Sequence, residues 1–257
     1  MENGILLGIE IEMAYNEDNL GYIERDCYHG DGDELFGDYF IAEEDGSLNG
    51  SDYCGETVEL ISNPVKYKDF ELVINDFIYE VKRRYKLHTG KKLGLKGSLS
   101  GIIDFNESCG CHINFSVYQD SAKENNMRLR GGNFTLPKTC KFFGAIDDKT
   151  LVNIRKKIKN KMELLNGSSY FNNIYDRRYS RVDDKNPTNN IDNKYSEFHL
   201  KNNSLMEYRS FNLHGCKTLY DVKKRLMLGA SIINNVIVKE LNKSKPLYYK
   251  GEIKVNI

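Results

Sequence analysis

The chain contains 257 residues, of which 40% are hydrophobic, so it is long enough to bury a sizeable core. Lysine plus arginine and aspartate plus glutamate each number 37, and this balance argues against a dedicated nucleic-acid-binding protein, which would carry a basic excess. The six cysteines form no CxxC pair, which excludes zinc-ribbon and thioredoxin patterns and favours free thiols in a reducing cytoplasm.

Two further classes are excluded by the distribution of apolar residues. No run of about 18 apolar residues is present, so we expect no membrane span. The N-terminus carries no basic region ahead of its short apolar patch, so we expect no secretory signal. No clean linker divides the sequence, and we therefore expect a single domain over residues 1–257.

Residues 5–15 are rich in β-branched and apolar side chains and predict the first strand. Because side chains alternate along a strand, Glu10 and Glu12 share one face and the apolar residues around them share the other. Two carboxylates about 6.5–7 Å apart repel strongly once they are partly buried, so we expect positive charge between them. The alternative is the solvated polar face of an edge strand.

The next segments lead to a second acidic strand. Residues 16–36 are polar and contain glycine, which predicts a long loop. A short strand over 39–42 then enters an Asp-Gly turn at Asp45. Residues 56–62 predict another strand, on which Glu56 and Glu59 lie on opposite faces. Only one of these two glutamates can point into a given site, and we favour Glu59.

A helix and a histidine-containing strand follow. Apolar residues at three- and four-residue spacing predict a helix over 65–88 that covers one face of the sheet. Residues 109–117 predict a strand with His112, Asn114 and Ser116 on one face and apolar residues on the other. Neighbouring imidazole and amide groups can supply a metal ligand and a hydrogen-bonding partner. The alternative is a histidine with a purely structural role.

Two more helices are predicted in the C-terminal half. The first begins at Asp147 or Asp148 and ends near Leu165. The second is opened by Thr218 and Asp221, which resemble a capping box, and it packs on the sheet. A last strand is expected within 247–255.

Between these helices, residues 194–212 predict a hairpin with its turn at 201–203. Glu207 and Arg209 share a face of its second strand, and the simplest interpretation is an exposed ion pair of little energetic worth. We expect substrate specificity to reside in three irregular segments, residues 16–36, 119–146 and 168–193.

Six stretches, taken in this order, resemble the amidoligase family of carboxylate–amine ligases. They are GIEIEM at 8–13, EDGSL at 44–48, ETVELISNP at 56–64, CGCHINFS at 109–116, KYSEFHL at 194–200 and MEYRSFN at 206–212. The chain departs from the commoner pattern at Asn114, where many members have a second histidine. The resemblance implies an α+β fold, in which an antiparallel sheet with a concave active-site face is backed by helices, as in glutamine synthetase and guanidino kinases.

The same resemblance implies roles for particular residues. One magnesium ion would be shared by Glu10, His112 and Glu207, and another by Glu12 and Glu59. The implied residues are Glu10, Glu12, Glu59, His112 and Glu207 for metal binding, Asn114, Ser116 and Arg209 for nucleotide binding, and Glu59, Arg209 and Asp45 for catalysis.

The activity implied is ATP- and Mg²⁺-dependent formation of an amide or isopeptide bond. A carboxylate on a small molecule, peptide or protein would attack the γ-phosphate, and an amine would displace phosphate from the acyl phosphate. Glu56, Asp45 or a residue of the 16–36 loop could accept the proton from the amine. A phosphotransferase and a catalytically silent binding module are the alternatives, and the complete set of acidic residues favours an enzyme.

Overall fold

The computed structural model describes residues 3–25, 35–106, 108–119, 125–129, 132–136, 142–165, 198–202, 204–209, 211–243, 246–249 and 252–255. The irregular segment predicted at 168–193 lies outside these residues, as do residues 26–34 of the predicted 16–36 loop and residues 120–124, 130–131 and 137–141 of the 119–146 segment.

The described ranges contain both strands and helices. The strands are β1 (Asn3–Tyr15), β2 (Leu35–Phe36), β3 (Phe40–Glu43), β4 (Glu56–Ser62), β5 (Val65–Lys66), β6 (Ile103–Asp104), β7 (Cys111–Gln119), β8 (Asn125–Leu129), β9 (Gly132–Leu136), β10 (Phe198–Asn202), β11 (Leu205–Tyr208), β12 (Pro246–Tyr249) and β13 (Glu252–Val255). The helices are α1 (Glu17–Leu20), α2 (Phe70–Thr89), α3 (Phe142–Ala145), α4 (Asp148–Leu165) and α5 (Leu219–Lys243). None of these described helices is long and apolar enough to cross a membrane.

One antiparallel sheet organises the fold. Nine strands belong to it, with the path β10-β11-β7-β1-β4-β3-β2, and β5 and β6 pair with the two ends of β1. The central position of β1 follows from its length of 13 residues, which allows it to pair with β7 on one side and β4 on the other. An antiparallel sheet with helices in an α+β arrangement was the expected class.

The hydrophobic core lies on the face of the sheet that the helices cover. Ile9, Ile11 and Met13 alternate along β1 and are fully buried there. Helix α5 packs on β1 and against α2, and α4 packs against α5. Because successive residues of a strand point to opposite faces, burial of this apolar row commits the intervening glutamates of β1 to the other face.

The structure corrects three predicted boundaries. Helix α2 begins at Phe70 rather than at residue 65, because Val65–Lys66 pairs with β1 as β5 and Tyr67–Asp69 forms a 3₁₀ turn. The predicted hairpin turn at 201–203 is also wrong, since Lys201 belongs to β10. Residues 247–255 contain parts of two strands, which pair with each other and with no other described strand.

The predicted helix starts are confirmed by their side-chain caps. Asp147 accepts a hydrogen bond from the backbone N–H of Thr150 at 2.8 Å, ahead of α4. Thr218 accepts one from the N–H of Asp221 at 3.1 Å, ahead of α5. Each cap satisfies a backbone donor that the first turn of a helix leaves without an intrahelical partner.

Gly229 sets the close approach of α5 to the sheet, and we predict that Gly229→Ala lowers the free energy of unfolding. A Cβ there would lie 2.7 Å from Phe211 Cε2 and 2.9 Å from Ile113 Cδ1, and both residues are buried. Overpacking costs about 1–3 kcal/mol, which outweighs the gain of about 1 kcal/mol in helix propensity. Urea denaturation measures the difference, and Asn235→Ala, exposed on the same helix, is the control that should not lower stability. A more stable Gly229→Ala protein would contradict this packing.

Candidate active site

Acidic residues from two adjacent strands meet on the face of the sheet opposite the helices. Glu12 of β1 pairs with Glu59 of β4, and Glu10 of β1 pairs with His112 of β7. Directly paired residues share a face, so all four side chains lie together. Each of them is no more than 8% exposed.

Strand β11 brings a further acid to the same face. Glu207 pairs with Asn114 of β7, and its side chain is fully buried. His112 Nδ1 lies 2.8 Å from Glu10 Oε2 and 3.2 Å from Glu207 Oε1. The ligand atoms of Glu10, His112 and Glu207 all lie within 4.8 Å of one another. We call these three residues the first carboxylate set.

The other side of the same imidazole faces a second group. The ligand atoms of Glu12, Glu59 and His112 also lie within 4.8 Å of one another, and we call these residues the second carboxylate set. His112 Nε2 is 3.7 Å from Glu12 Oε1, and the backbone N–H of Gly110 donates to Glu12 Oε2. A Cβ at Gly110 would lie 2.9 Å from Glu12 Oε2 and 3.0 Å from His112 Nε2, so glycine permits this close approach.

Basic side chains contact the first carboxylate set. Lys201 Nζ donates to Glu10 Oε1 at 3.0 Å and lies 3.7 Å from Glu207 Oε1. Arg209, directly after β11, donates from Nη1 to Glu207 Oε1 at 3.0 Å. His199 Nδ1 is 3.2 Å from Glu207 Oε2. The positive charge expected near the acids of β1 is therefore supplied by β7, β10 and the end of β11.

These contacts keep the first carboxylate set ionised. Burial alone would raise the pKa of Glu10, but His112, Lys201 and Asn114 hold it well below its usual value. Glu207 behaves in the same way, with burial opposed mainly by His112, and its pKa is lowered. Burial would lower the pKa of His112, but the hydrogen bonds with the two carboxylates raise it to about 10. The imidazole is thus a cation between two anions.

In the second carboxylate set, the pKa values of the carboxyl groups are raised rather than lowered. Burial, together with the negative charges of Glu10 and Glu12, raises the pKa of Glu59 to about 8. Burial also raises the pKa of Glu12, against the attraction of His112. The negative charge of Asp45 also raises the pKa of both of these groups. Glu59 therefore holds a proton near neutral pH.

Two buried polar atoms beside the first carboxylate set have no hydrogen-bond partner among the described residues. They are Asn114 Oδ1 and Arg209 Nε. Asn114 directs its Nδ2 to Glu10 Oε1 at 2.7 Å, and Arg209 uses Nη1 on Glu207. A buried polar atom without a partner costs free energy comparable to a lost hydrogen bond, which is a feature of sites that complete their bonding with a ligand.

The donor chemistry of both carboxylate sets fits a divalent cation. Each set offers two carboxylates and one imidazole nitrogen on a rigid sheet. Hard cations such as Mg²⁺ and Mn²⁺ prefer carboxylate oxygens, and Mn²⁺ accepts imidazole nitrogen as well. Because His112 belongs to both sets, one of its nitrogens can bind a metal while the other holds a proton toward the neighbouring carboxylate.

The remaining predicted residues lie at different places. Ser116 is on the same face as Asn114, two residues further along β7. It pairs with Leu6 of β1 on one side and with Leu205 of β11 on the other. Glu56 pairs with Tyr15 on the opposite, core-facing side, and its carboxylate is 2.9 Å from Arg25 Nη2. The structure therefore gives no support to Glu56 as the proton acceptor.

Sequence reasoning assigned no role to three residues of this face, namely Glu43, His199 and Lys201. Glu43 pairs with Glu59 at the end of β3 and is 2% exposed, although the predicted strand ended at residue 42. His199 pairs with Glu207 on the hairpin. The two-residue spacing of His199 and Lys201 is the signal that could have drawn attention to them, because alternation places such residues on one face.

Comparisons with known proteins give a distant structural likeness. No protein-family model matches the chain, and no curated protein matches it. Among solved structures, the chain is similar to Plasmodium falciparum glutamine synthetase, with 10% identity and a TM-score of 0.40 over 90% of this chain and 52% of that one. It is also similar to GmaS in complex with ADP, with 12% identity and a TM-score of 0.39 over 91% of this chain and 56% of that one. The chain spans about half the length of these two proteins.

The pKa of Glu59 leads to a testable pH dependence of stability in chelator. The folded protein retains a proton up to about pH 8, whereas an unfolded glutamate releases it near 4.5. The folded state thus binds more protons in this window, so this residue's contribution to the free energy of unfolding falls as pH rises. Glu59→Gln should remove that fall and become more stable relative to wild type by about 3 kcal/mol between pH 5 and pH 8.

Chemical denaturation at several pH values measures this difference. Glu56→Gln is the matched control, because it lies on the other face of the same strand and should keep the wild-type trend. Parallel pH profiles for wild type and Glu59→Gln would show that Glu59 is not the group responsible.

Proposed function

We propose that this chain is an ATP- and Mg²⁺-dependent ligase that joins a carboxylate to an amine through an acyl-phosphate intermediate. The observation that carries the proposal is the pair of carboxylate sets sharing His112 on one sheet face, with basic groups around them. Such a face can hold two divalent cations next to a polyphosphate. The proposed catalytic unit is the whole of residues 1–257.

The metal ligands proposed are those of the two carboxylate sets. Glu10, His112 and Glu207 would hold one ion, and Glu12 and Glu59 the other. Bound Mg²⁺ supplies charge neutralisation for the phosphates of ATP and for the transferring phosphoryl group. The sheet contributes fixed positions, because every ligand comes from a strand paired directly with its neighbour.

Arg209 is proposed to bind the transferring phosphoryl group. Its Nη1 donates to Glu207, which fixes the side chain, and its buried Nε has no partner among the described residues. A guanidinium stays protonated in proteins and can donate from several N–H groups at once. Asn114 Oδ1 and the hydroxyl of Ser116 are proposed to contact the nucleotide from the same face.

The reaction proposed has two steps. A carboxylate oxygen of the first substrate attacks the γ-phosphorus, the bond to the β-phosphate oxygen breaks, and ADP leaves with its electron pair. The amine nitrogen then attacks the acyl carbon, and inorganic phosphate leaves. No covalent protein nucleophile is needed, so the work of the residues is positioning and stabilisation of charge.

The amine must lose a proton in the second step. Asp45 is proposed as the acceptor, because it is partly exposed and its negative charge acts on both Glu12 and Glu59, so its carboxylate can meet an incoming ammonium. The substrates proposed are a carboxylate and an amine on small molecules, peptides or protein side chains. Neither partner requires a nucleic-acid surface.

Glu207→Gln tests the function. Purified protein with ATP, Mg²⁺, hydroxylamine and panels of amino acids and peptides should form ADP and a hydroxamate, because hydroxylamine traps an acyl phosphate. Loss of one carboxylate from the first set should lower turnover by about 10²-fold or more. Circular dichroism checks that the fold is kept, and Glu56→Gln, on the opposite face, should retain wild-type turnover.

Three results would contradict the proposal. Undiminished turnover in Glu207→Gln would overturn the metal assignment. A phosphorylated product without hydroxamate would indicate a phosphotransferase. Nucleotide binding with neither product, across the panels, would indicate a binding module.

A further inference from the structure

Lys201 contacts the first carboxylate set, and neither the family resemblance nor the proposed reaction assigns it a role. Its ammonium is 3.0 Å from Glu10 Oε1 and 3.7 Å from Glu207 Oε1. It therefore bridges the two acids that, with His112, would hold a metal ion. The same Oε1 atom of Glu207 also accepts from Arg209, at 3.0 Å.

An ammonium in this position and a divalent metal bound by the same oxygens exclude each other. Mg²⁺ is held at about 2.0–2.1 Å from its oxygen ligands, so an ion shared by Glu10 and Glu207 would lie within a few ångströms of Nζ. Two cations so close repel strongly in a buried site. For the metal to bind, the Lys201 ammonium must leave the carboxylates.

The local structure gives Lys201 the freedom to leave. The pairing of β10 with β11 shifts register between Leu200 and Asn202, so Lys201 is the extra residue of a β-bulge. Its side chain is 33% exposed, whereas that of Glu207 is fully buried. A lysine side chain has a flexible four-carbon stem, so its charge can move by several ångströms while its backbone stays in the strand.

We propose that Lys201 competes with a divalent metal ion for the carboxylates of Glu10 and Glu207, and that the displaced ammonium binds the phosphates of the nucleotide that arrives with the metal. This inference rests on the proposed function, because it concerns one of its two metal sites. The site would then favour a metal–nucleotide complex over the metal alone, since only the complex offers the ammonium a new anion. Lys201 would thereby couple the binding of the metal to the binding of the nucleotide.

Lys201→Met tests the competition through metal binding rather than turnover. Free Mn²⁺ is measured by electron paramagnetic resonance during titration of wild type, Lys201→Met and Lys223→Met. Lys223 pairs with Glu71 on α2, at 2.6 Å, and so controls for the loss of one lysine charge elsewhere. We expect Mn²⁺ to bind about tenfold more tightly to Lys201→Met than to wild type, and Lys223→Met to resemble wild type.

The proposed binding of the displaced ammonium to phosphate predicts that Lys201→Met weakens nucleotide binding, whereas it strengthens metal binding. With saturating Mn²⁺, a non-hydrolysable ATP analogue should bind about tenfold more weakly to Lys201→Met, because one phosphate contact is missing. A variant that was merely misfolded would bind both ligands more weakly.

The outcomes separate this inference from the proposed function. Equal Mn²⁺ affinities for wild type and Lys201→Met, or weaker binding by the variant, would overturn the competition and leave the metal site standing. Absence of Mn²⁺ binding in all three proteins would overturn both the inference and the proposed metal site. Equal binding of the ATP analogue by wild type and Lys201→Met would overturn the transfer of the ammonium to phosphate.

A measurement on wild type keeps the test valid if Lys201→Met does not fold. Acylation of Lys201 by a succinimidyl ester, followed by mass spectrometry, should be faster with Mn²⁺ alone and slower again once the ATP analogue is added. Lys223 in the same sample is the internal reference and should keep its rate. An unchanged rate at Lys201 on Mn²⁺ addition would overturn the competition.

Discussion

Several buried carboxylates share one face of a β-sheet in this protein, and this concentration of negative charge is the constraint on which the site depends. Two unit charges 4 Å apart interact by about 4 kcal/mol at an effective dielectric constant of 20, so an uncompensated cluster would oppose folding. Compensation comes from His112, Lys201 and Arg209, which surround Glu207 and Glu10. The acids that lack such partners are compensated differently, because Glu59 retains a proton near neutral pH.

Compensation by basic side chains and compensation by a retained proton have the same consequence for metal binding. A divalent cation bound at this face would neutralise carboxylate charge that is otherwise neutralised by protons and by Lys201. Metal binding should therefore be linked to proton release from His112 and Glu59 and to movement of Lys201. The apolar side of the same sheet stabilises the strand that carries these acids, since β1 is held in place by a buried row that includes Ile9 and Ile11. The free energy that organises the site is thus supplied largely by the opposite face.

Much of this arrangement could be predicted from local sequence patterns. Alternation along β1 placed Glu10 and Glu12 together, and the same rule put Glu56 and Glu59 on opposite faces of β4, of which we favoured Glu59 for the site. An antiparallel sheet backed by helices was implied by the family resemblance, and hydrophobic periodicity predicted the individual strands and helices. These features depend on residues close to one another in sequence, which is the range over which such patterns carry information.

The rest depended on contacts that local patterns do not encode. Lys201 contacts Glu10 across a sequence separation of 191 residues, through the pairing of β10 with β11 and of β11 with β7. The predicted strand ended at residue 42, ahead of the Asp-Gly turn, yet pairing with β4 extends β3 to include Glu43. Helix α2 begins later than predicted for the same kind of reason, because Val65 pairs with Leu7 of β1. Tertiary pairing overrode local propensity in each case.

The central claim is that this sheet face binds a nucleotide through divalent metal ions. Calorimetric titration of the purified protein with ATP, in Mg²⁺ and again in excess chelator, tests it most directly. We expect saturable binding in Mg²⁺ that is lost in chelator, because the carboxylate sets contact the phosphates only through the metals. Absence of binding in both conditions, or equal binding in both, would contradict it.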